Sequence, residues 1–166
     1  MASNFFDTKA YFNKMAAANK LAVAQKYKVV DCTGIETLEG VLASFKSDLN
    51  FIAIDDTNDG RFFQSPSGGW FKRRTCTVFI LSHYSIKDMN QRIERLENCR
   101  ELQRQFISRM VNDRYINQTA MYTLGIEEIY YREFGALLVD GLTGTYFMIN
   151  VDEPVDVSYH VDEWDI

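Results

Sequence analysis

The sequence has few of the residues that stabilise small secreted domains or build metal centres. Its three cysteines, Cys32, Cys76 and Cys99, are odd in number and far apart, and it has only two histidines. No spacing typical of metal ligands connects these residues. We therefore expect buried thiols in a reducing compartment, with no structural metal and no cofactor.

Long apolar stretches are also missing. No segment approaches the roughly 20 apolar residues that a membrane-spanning helix needs. The N-terminus lacks a basic region followed by an apolar run. These absences predict a soluble chain that has no secretory signal, does not enter a membrane and is made in a cytoplasm.

Proline is scarce, and neither a repeat nor a low-complexity tract interrupts the 166 residues; Pro66 and Pro154 are the only prolines. The length suits one domain, which can bury roughly 70% of the surface of its unfolded chain. We predict a single domain over residues 1–154, followed by an acidic strand or arm at 155–166.

Positive charge is not in excess, because the net charge is −5. Residues 152–166 hold six acidic residues and no lysine or arginine, so the 18 basic and 17 acidic residues elsewhere nearly cancel. A protein that reads duplex DNA normally presents a concentrated basic face. The charge distribution therefore disfavours that class.

Hydrophobic periodicity predicts helices at 5–26, 36–47 and 87–112. It predicts strands at 50–54 and 71–82, a further strand around Ile129, Tyr131 and Phe134, strands at 135–139 and 145–149 joined by the turn "DGLTG", and a last strand at 155–161. The third helix carries an apolar stripe at intervals of three or four, namely Met89, Ile93, Leu96, Cys99, Leu102, Phe106 and Met110. This order predicts an α+β fold, a mainly antiparallel sheet with one long amphipathic helix on a face, plus N-terminal helices.

The most unusual stretch is "DDTNDGRFFQSPSGGWFKRRTC" at residues 55–76. Asp55, Thr57, Asp59 and Gly60 match the first positions of a calcium loop. The twelfth position, which requires a bidentate glutamate, is Pro66. Because Asp, Asn and Gly also form turns, we interpret the acidic part as a turn.

Two other functions remain open alternatives. Trp70 and Phe71 next to Lys72, Arg73 and Arg74 can stack bases and neutralise phosphates, as in a module that binds single-stranded nucleic acid. On a strand, however, Lys72 and Arg74 face away from Arg73.

The second alternative is a small enzyme with an unrecognised pocket near His83. Only His83 and His160 can serve as histidine bases, and neither flanks a nucleophile motif. We predict no catalytic residue and a protein that is not an enzyme.

Protein partners are the remaining reading. A long hairpin loop at about 55–69 is expected to expose Phe62, Phe63, Trp70 and Phe71, which are aromatic anchors of the kind found at interfaces. Val155, Val157, Tyr159 and Val161 alternate with polar residues and are expected to form a strand that pairs within its own chain or with a neighbour's sheet.

The stretches "FFQSPSGGWFKRRTCTVFIL", "MNQRIERLENCRELQRQFISRM" and "GALLVDGLTGTYFMINVDEP" follow one another in an order that resembles the small neck and tail-terminator (tail-completion) proteins of tailed bacteriophages. With the strand at 50–54, the resemblance covers roughly residues 50–154.

The resemblance implies a structural virion protein that is assembled in the host cytoplasm. Its copies would form a ring, commonly a hexamer, that joins the head-side connector to the tail tube. DNA would pass through the lumen without specific binding, which a neutral or acidic lining favours.

Overall fold

The computed structural model describes residues 6–33, 50–55, 57, 60–116, 124–134 and 141–165. In these ranges the chain forms helices α1 (Thr8–Ala18), α2 (Lys20–Ala24) and α3 (Met89–Ile116), strands β1 (Tyr27–Cys32), β2 (Asn50–Asp55), β3 (Gly60–Gln64), β4 (Trp70–His83), β5 (Leu124–Phe134) and β6 (Leu142–Pro154), and a 3-10 helix at Val161–Glu163. A sheet with a long helix packed on it confirms the predicted α+β class.

The sheet has the strand order β1-β2-β4-β6-β5, and β3 also pairs with β4. Only β1 and β2 are parallel; the other described pairs are antiparallel. Because β6 pairs with one edge of β4, β2 and β3 both pair with its other edge, one after the other along the length of β4. They pair with Thr77–Ser82 and Trp70–Arg74 respectively.

The prediction of a long loop at 55–69 is therefore wrong, because residues 60–64 in its middle form β3. Asp55 ends β2, and Gly60 already begins β3. The remaining turn at 65–69 is closed by a hydrogen bond from Ser65 N to Gly69 O at 2.8 Å, and Gly68 has a φ of +94°. At the other end, Asp55 Oδ1 accepts from Thr57 N at 3.1 Å, a local bond of the kind that the turn interpretation predicts.

The main core lies between the sheet and α3. Cys99, Leu102, Phe106 and Met110 are fully buried there, as the periodicity predicts. Met89 and Ile93 belong to the same predicted stripe, yet they are 53% and 58% exposed. A periodic stripe identifies a helix face, but it does not show how far the layer beneath that face extends.

The predicted helix at 5–26 is divided at Asn19. The backbone of Asn19 is extended, with a φ of −85° and a ψ of 122°, and its Oδ1 accepts from Ala22 N at 2.8 Å. Asparagine favours this capping position because its side chain satisfies an amide that the new helix leaves unpaired. The chain then enters β1, a strand that the sequence patterns do not predict.

A second set of buried side chains covers the sheet face opposite α3; it includes Phe51, Ala53, Phe79 and Leu81. Parallel β1 and β2 need a crossover connection, and the helix predicted at 36–47 falls in it, outside the described residues. The strand predicted at 135–139 also lies outside them. Residues 145–149 form the middle of β6, which begins at Leu142 inside the predicted "DGLTG" turn.

Candidate interaction surfaces

The four aromatic residues predicted as a loop surface lie on the paired strands β3 and β4 and divide between two faces. The register pairs Phe63 with Phe71 and Gln64 with Trp70. Phe62 and Trp70 therefore share one face, and they are 59% and 41% exposed. Phe63 and Phe71 lie on the other face, where both are half-buried.

Phe63 and Phe71 stabilise the hairpin from within. Their rings stack with centroids 5.7 Å apart and planes inclined by 21°. The guanidinium groups of Arg61 and Arg73 lie 5.5 and 5.2 Å from the centroid of Phe63, within cation–π range. Of the four predicted anchors, Phe62 and Trp70 are thus the two whose side chains remain available to a partner.

The basic run at 72–74 is largely neutralised within the chain. Arg73 donates from Nε and Nη2 to the two carboxylate oxygens of Asp152, both at 2.6 Å. This hydrogen bonding raises the pKa of Arg73. Arg74 points to the opposite sheet face, as the strand periodicity predicts, and binds Glu153.

Glu153 is the centre of a buried polar cluster. Only 3% of the residue is exposed. Its Oε1 accepts from Phe6 N at 2.9 Å and from Arg74 Nη2 at 3.0 Å, and Arg74 Nη2 also donates to Phe6 O at 3.1 Å. The cluster fixes the N-terminal segment against the end of β6.

An open groove of about 300 Å³ lies beside the hairpin; its lining includes Phe63, Phe71, Arg73, Arg114, Glu127 and Asp152. Its charged groups are engaged with one another, since Arg114 Nη1 binds Glu127 Oε1 at 2.5 Å and Arg73 binds Asp152. Hydrogen bonds from the backbone and from Arg114 lower the pKa of Glu127.

His83, the base of the enzyme alternative, does not line this groove. It ends β4, ten residues beyond Arg73 and hence roughly 33 Å along the strand. There its ring packs edge-on against Phe51 with centroids 5.9 Å apart.

The prediction of a strand at 155–161 is wrong for a single copy of the chain. Val155 N donates to Trp70 O at 3.0 Å, but β6 ends at Pro154. The next regular element is the 3-10 helix at Val161–Glu163. A strand needs a neighbour for its backbone groups. Because β4 begins only at Trp70, it does not extend alongside residues 156–161. Asp156 Oδ1 instead accepts from Ser158 N at 2.9 Å. Hydrogen bonds from the Ser158 side chain and from its backbone lower the pKa of Asp156.

The apolar side chains of this C-terminal segment, defined as residues 155–165, point into solvent. Val157, Tyr159 and Val161 are 46%, 64% and 69% exposed, and Val155 is half-buried. Tyr159 stacks with Trp164 at a centroid distance of 6.0 Å, and Trp164 is itself 61% exposed. Trp164 was not among the predicted interface residues, although a tryptophan between acidic residues is a visible signal.

No protein-family model matches the chain, and no curated protein matches it either. Among the described residues, the helices are all too short or too polar to cross a membrane. The three cysteine side chains are buried, as predicted.

Sequence reasoning did not identify the ion pairs between β4 and β6. The signal was present in part, because the basic pair Arg73-Arg74 lies in the strand predicted at 71–82 and the acidic pair Asp152-Glu153 closely follows the strand predicted at 145–149. Opposite charges facing each other across paired strands stabilise the register. The observed register places Arg73 opposite Asp152.

Proposed function

We propose that the chain is a non-enzymatic structural protein of a phage virion, of the neck or tail-terminator type. Copies of it form a ring that joins the head-side connector to the tail tube. The order of the sequence elements resembles this class, and the distribution of exposed apolar side chains supports an assembly role.

The observation that carries the proposal is the exposure of aromatic side chains at one end of the sheet. Phe62 and Trp70 lie near the tip of the β3–β4 hairpin, and the segment that carries Tyr159 and Trp164 begins beside that tip, where β6 ends at Pro154. Val155 is tied to Trp70 by a backbone hydrogen bond. Exposed aromatic residues grouped in this way are typical of surfaces that bind proteins.

The internal pairing of charges also favours assembly over the two alternatives. Arg73 and Arg74, which a nucleic-acid module would need, are bound to Asp152 and Glu153. Trp70 and Phe71 point to opposite faces, so they do not form one stacking platform. In the groove, Arg114 and Glu127 bind each other, which leaves fewer polar groups to act on a substrate.

The direct test is electron microscopy and light scattering of the purified protein, alone and mixed with tail tubes and connector protein. We expect a ring, or a protomer that closes into a ring on the end of a tube. A protein that remains monomeric and also fails to bind tubes and connectors would contradict the proposal.

Replacing Phe62 and Trp70 together by alanine is expected to weaken binding to the tube or connector by roughly tenfold or more, because exposed aromatic anchors dominate interface energies. The free energy of unfolding should change by less than about 1 kcal/mol, since both side chains are substantially exposed. Pull-down titrations and urea denaturation measure the two effects.

The matched control is Phe63→Ala on the same strand. Its ring packs within the hairpin, so this change should reduce stability more than binding. If Phe62 and Trp70 can be removed without any loss of binding, the hairpin face is not the docking surface.

A further inference from the structure

The first turns of α3 project beyond one end of the sheet. Cys99 Sγ lies 3.3 Å from the Oγ of Ser82, near the end of β4. Farther along the helix, Arg114 Nη1 donates to Leu124 O at 3.2 Å, at the hairpin end of the sheet. The helix therefore runs towards the hairpin, and residues 89–95 extend past Ser82 by up to roughly 15 Å. The described strands continue past Ser82 by one residue at most.

Two arginines in this projecting part have no counter-charge. Arg92 and Arg95 are neighbours on the helix surface because they are three residues apart, and both are half-buried. The Nε atom of each is buried without a hydrogen-bond partner. Within the described ranges neither guanidinium binds a carboxylate, and Arg95 Nη1 donates only to the neutral Gln25 Oε1, at 3.4 Å. A partly desolvated cation gains more from a carboxylate at its Nη atoms than a cation in open water does.

The acidic residues at the start of α3 do not neutralise the arginine pair. Asp88 Oδ1 accepts from Gln91 N at 3.0 Å and so caps the helix. Glu97 is bound by Arg100. Glu94 is exposed, and residues one or two positions apart on a helix, as it is from the two arginines, do not face each other.

Most other arginines already have a carboxylate partner. Six of them form ion pairs, namely Arg73, Arg74, Arg100, Arg104, Arg109 and Arg114. The remaining two, Arg61 and Arg132, are exposed. Of the described cations, Arg92 and Arg95 are thus the ones that combine a buried nitrogen with the lack of a counter-charge.

Exposed apolar side chains border the arginine pair. Met89 lies three residues before Arg92 and four before Ile93, so these side chains are neighbours on the helix surface. Ile86, just before the helix, is 61% exposed. We call Ile86, Met89, Arg92, Ile93 and Arg95 the α3-start surface. A partner that fits it must carry carboxylates and apolar side chains together.

The C-terminal segment has this combination. It contains four acidic residues and no lysine or arginine, a charge of −4. Asp162 and Glu163 are exposed, and neither forms an ion pair with the residues that the structure describes. They lie between Val161 and Trp164, which are 69% and 61% exposed.

The segment is too short to cover the α3-start surface of its own chain. It follows Pro154, which is paired with Phe71, whereas the surface lies beyond Ser82. Phe71 and Ser82 are 11 residues apart on β4, or roughly 36 Å. Glu163 is nine residues after Pro154, a distance of at most roughly 32 Å in a fully extended chain. The 3-10 helix of the segment shortens this reach further, so the segment must come from another copy.

We propose that the C-terminal segment of one copy docks on the α3-start surface of a neighbouring copy. Asp162 and Glu163 bind the arginine pair, and Trp164 packs on the apolar side chains beside it. The two contacting surfaces lie at opposite ends of the molecule, so the contact is head-to-tail, the type that closes into a ring when its rotation allows. This inference rests on the proposed self-assembly and names the contact that joins the copies.

The test is a charge exchange between two full-length variants. The first changes Arg92 and Arg95 to Glu, and the second changes Asp162 and Glu163 to Lys. Each variant alone should self-associate about tenfold or more weakly than the parent in sedimentation velocity at low salt, because like charges then meet at the contact. An equal mixture should restore association, because the acidic surface of the first variant meets the basic segment of the second.

A third variant, with Met89 and Ile93 changed to Ser, leaves every charge in place. It should also associate about tenfold more weakly, because the apolar part of the contact is lost. The control changes Lys14 and Arg132 to Glu, which alters the net charge as much as the arginine variant does. Both side chains are exposed and away from the α3-start surface, so the control should associate as the parent does.

Circular dichroism checks the folding of each variant. The segment variant alters only exposed side chains outside the core, so it decides the outcome if the arginine variant does not fold. Parent-like association of any folded contact variant would overturn the inference, and so would a mixture of folded variants that stays weak. A control that weakens as much as the charge variants would overturn it too, because net charge would then set the association.

The inference and the proposed function can fail separately. A parent that does not self-associate but binds tubes would overturn the inference and would leave the proposed function standing. Association through this contact without any binding to tubes or connectors would uphold the inference and overturn the phage assignment.

Discussion

Replacing Glu153 by alanine is expected to lower the free energy of unfolding by about 3 kcal/mol, because it leaves the Arg74 guanidinium without its counter-charge in a site of low exposure. The same change removes the acceptor of Phe6 N and so releases the N-terminal segment. For a chain of this length, the loss corresponds to roughly 6–12 °C in melting temperature. Urea and thermal denaturation measure it.

Asp152 provides a matched control from the adjacent position. It binds Arg73 through both carboxylate oxygens, as Glu153 binds Arg74. The side chains of Asp152 and Arg73 are 24% and 28% exposed, against 4% and 20% for Glu153 and Arg74. Asp152→Ala should therefore cost about 1 kcal/mol or less, as is usual for ion pairs in contact with water. Equal losses for the two variants would contradict the assignment of Glu153 as the centre of the cluster.

A double variant separates charge from packing. Changing Arg74 and Glu153 together to methionine removes both charges and keeps most of the volume. Because the cost of Glu153→Ala comes mainly from the charge left unpaired, the double variant should be more stable than that single one.

The fold class could be predicted from the sequence because its main elements have strong local patterns. The stripe from Cys99 to Met110 repeats every three or four residues over several turns, and these positions are buried. The continuous apolar run at Val78–Leu81 indicates a strand covered on both faces, and Val78 and Phe79 do lie in the two different clusters.

Elements whose structure depends on a distant neighbour could not be predicted in the same way. Residues 60–64 have no clear alternation, and they form β3 because Trp70–Arg74 of β4 lies beside them. Residues 155–161 alternate regularly, yet they form no strand because β4, which begins at Trp70, does not extend alongside them. Periodicity shows which side chains share a face, whereas a strand also requires backbone partners that only the tertiary structure supplies.

The candidate surface was predicted in part. Composition identified the aromatic residues of the hairpin, but it did not show that Phe63 and Phe71 stack on each other while Phe62 and Trp70 face solvent. That division follows from the register of β3 and β4. A shift of one residue would exchange the two faces.

Gly144→Ala is expected to prevent normal folding, with a loss above about 4 kcal/mol. Gly144 lies on β6 opposite Leu81 of β4, and a Cβ atom there would be 2.1 Å from Ile80 O and 2.9 Å from Leu81 Cα. Both obstacles are backbone atoms of a central strand, so relief requires the two strands to separate. Soluble yield and circular dichroism of the purified variant measure the effect.

Gly69→Ala is the control for this change, because its added Cβ would have as its nearest contact a ring carbon of Phe71 at 3.7 Å. That distance is an ordinary van der Waals contact, and the free energy of unfolding should change by less than about 1 kcal/mol. A Gly144→Ala protein as soluble and stable as Gly69→Ala would mean that β4 and β6 do not approach each other closely at this point. The sheet register, and with it the placement of the hairpin and the C-terminal segment at one end, would then be wrong.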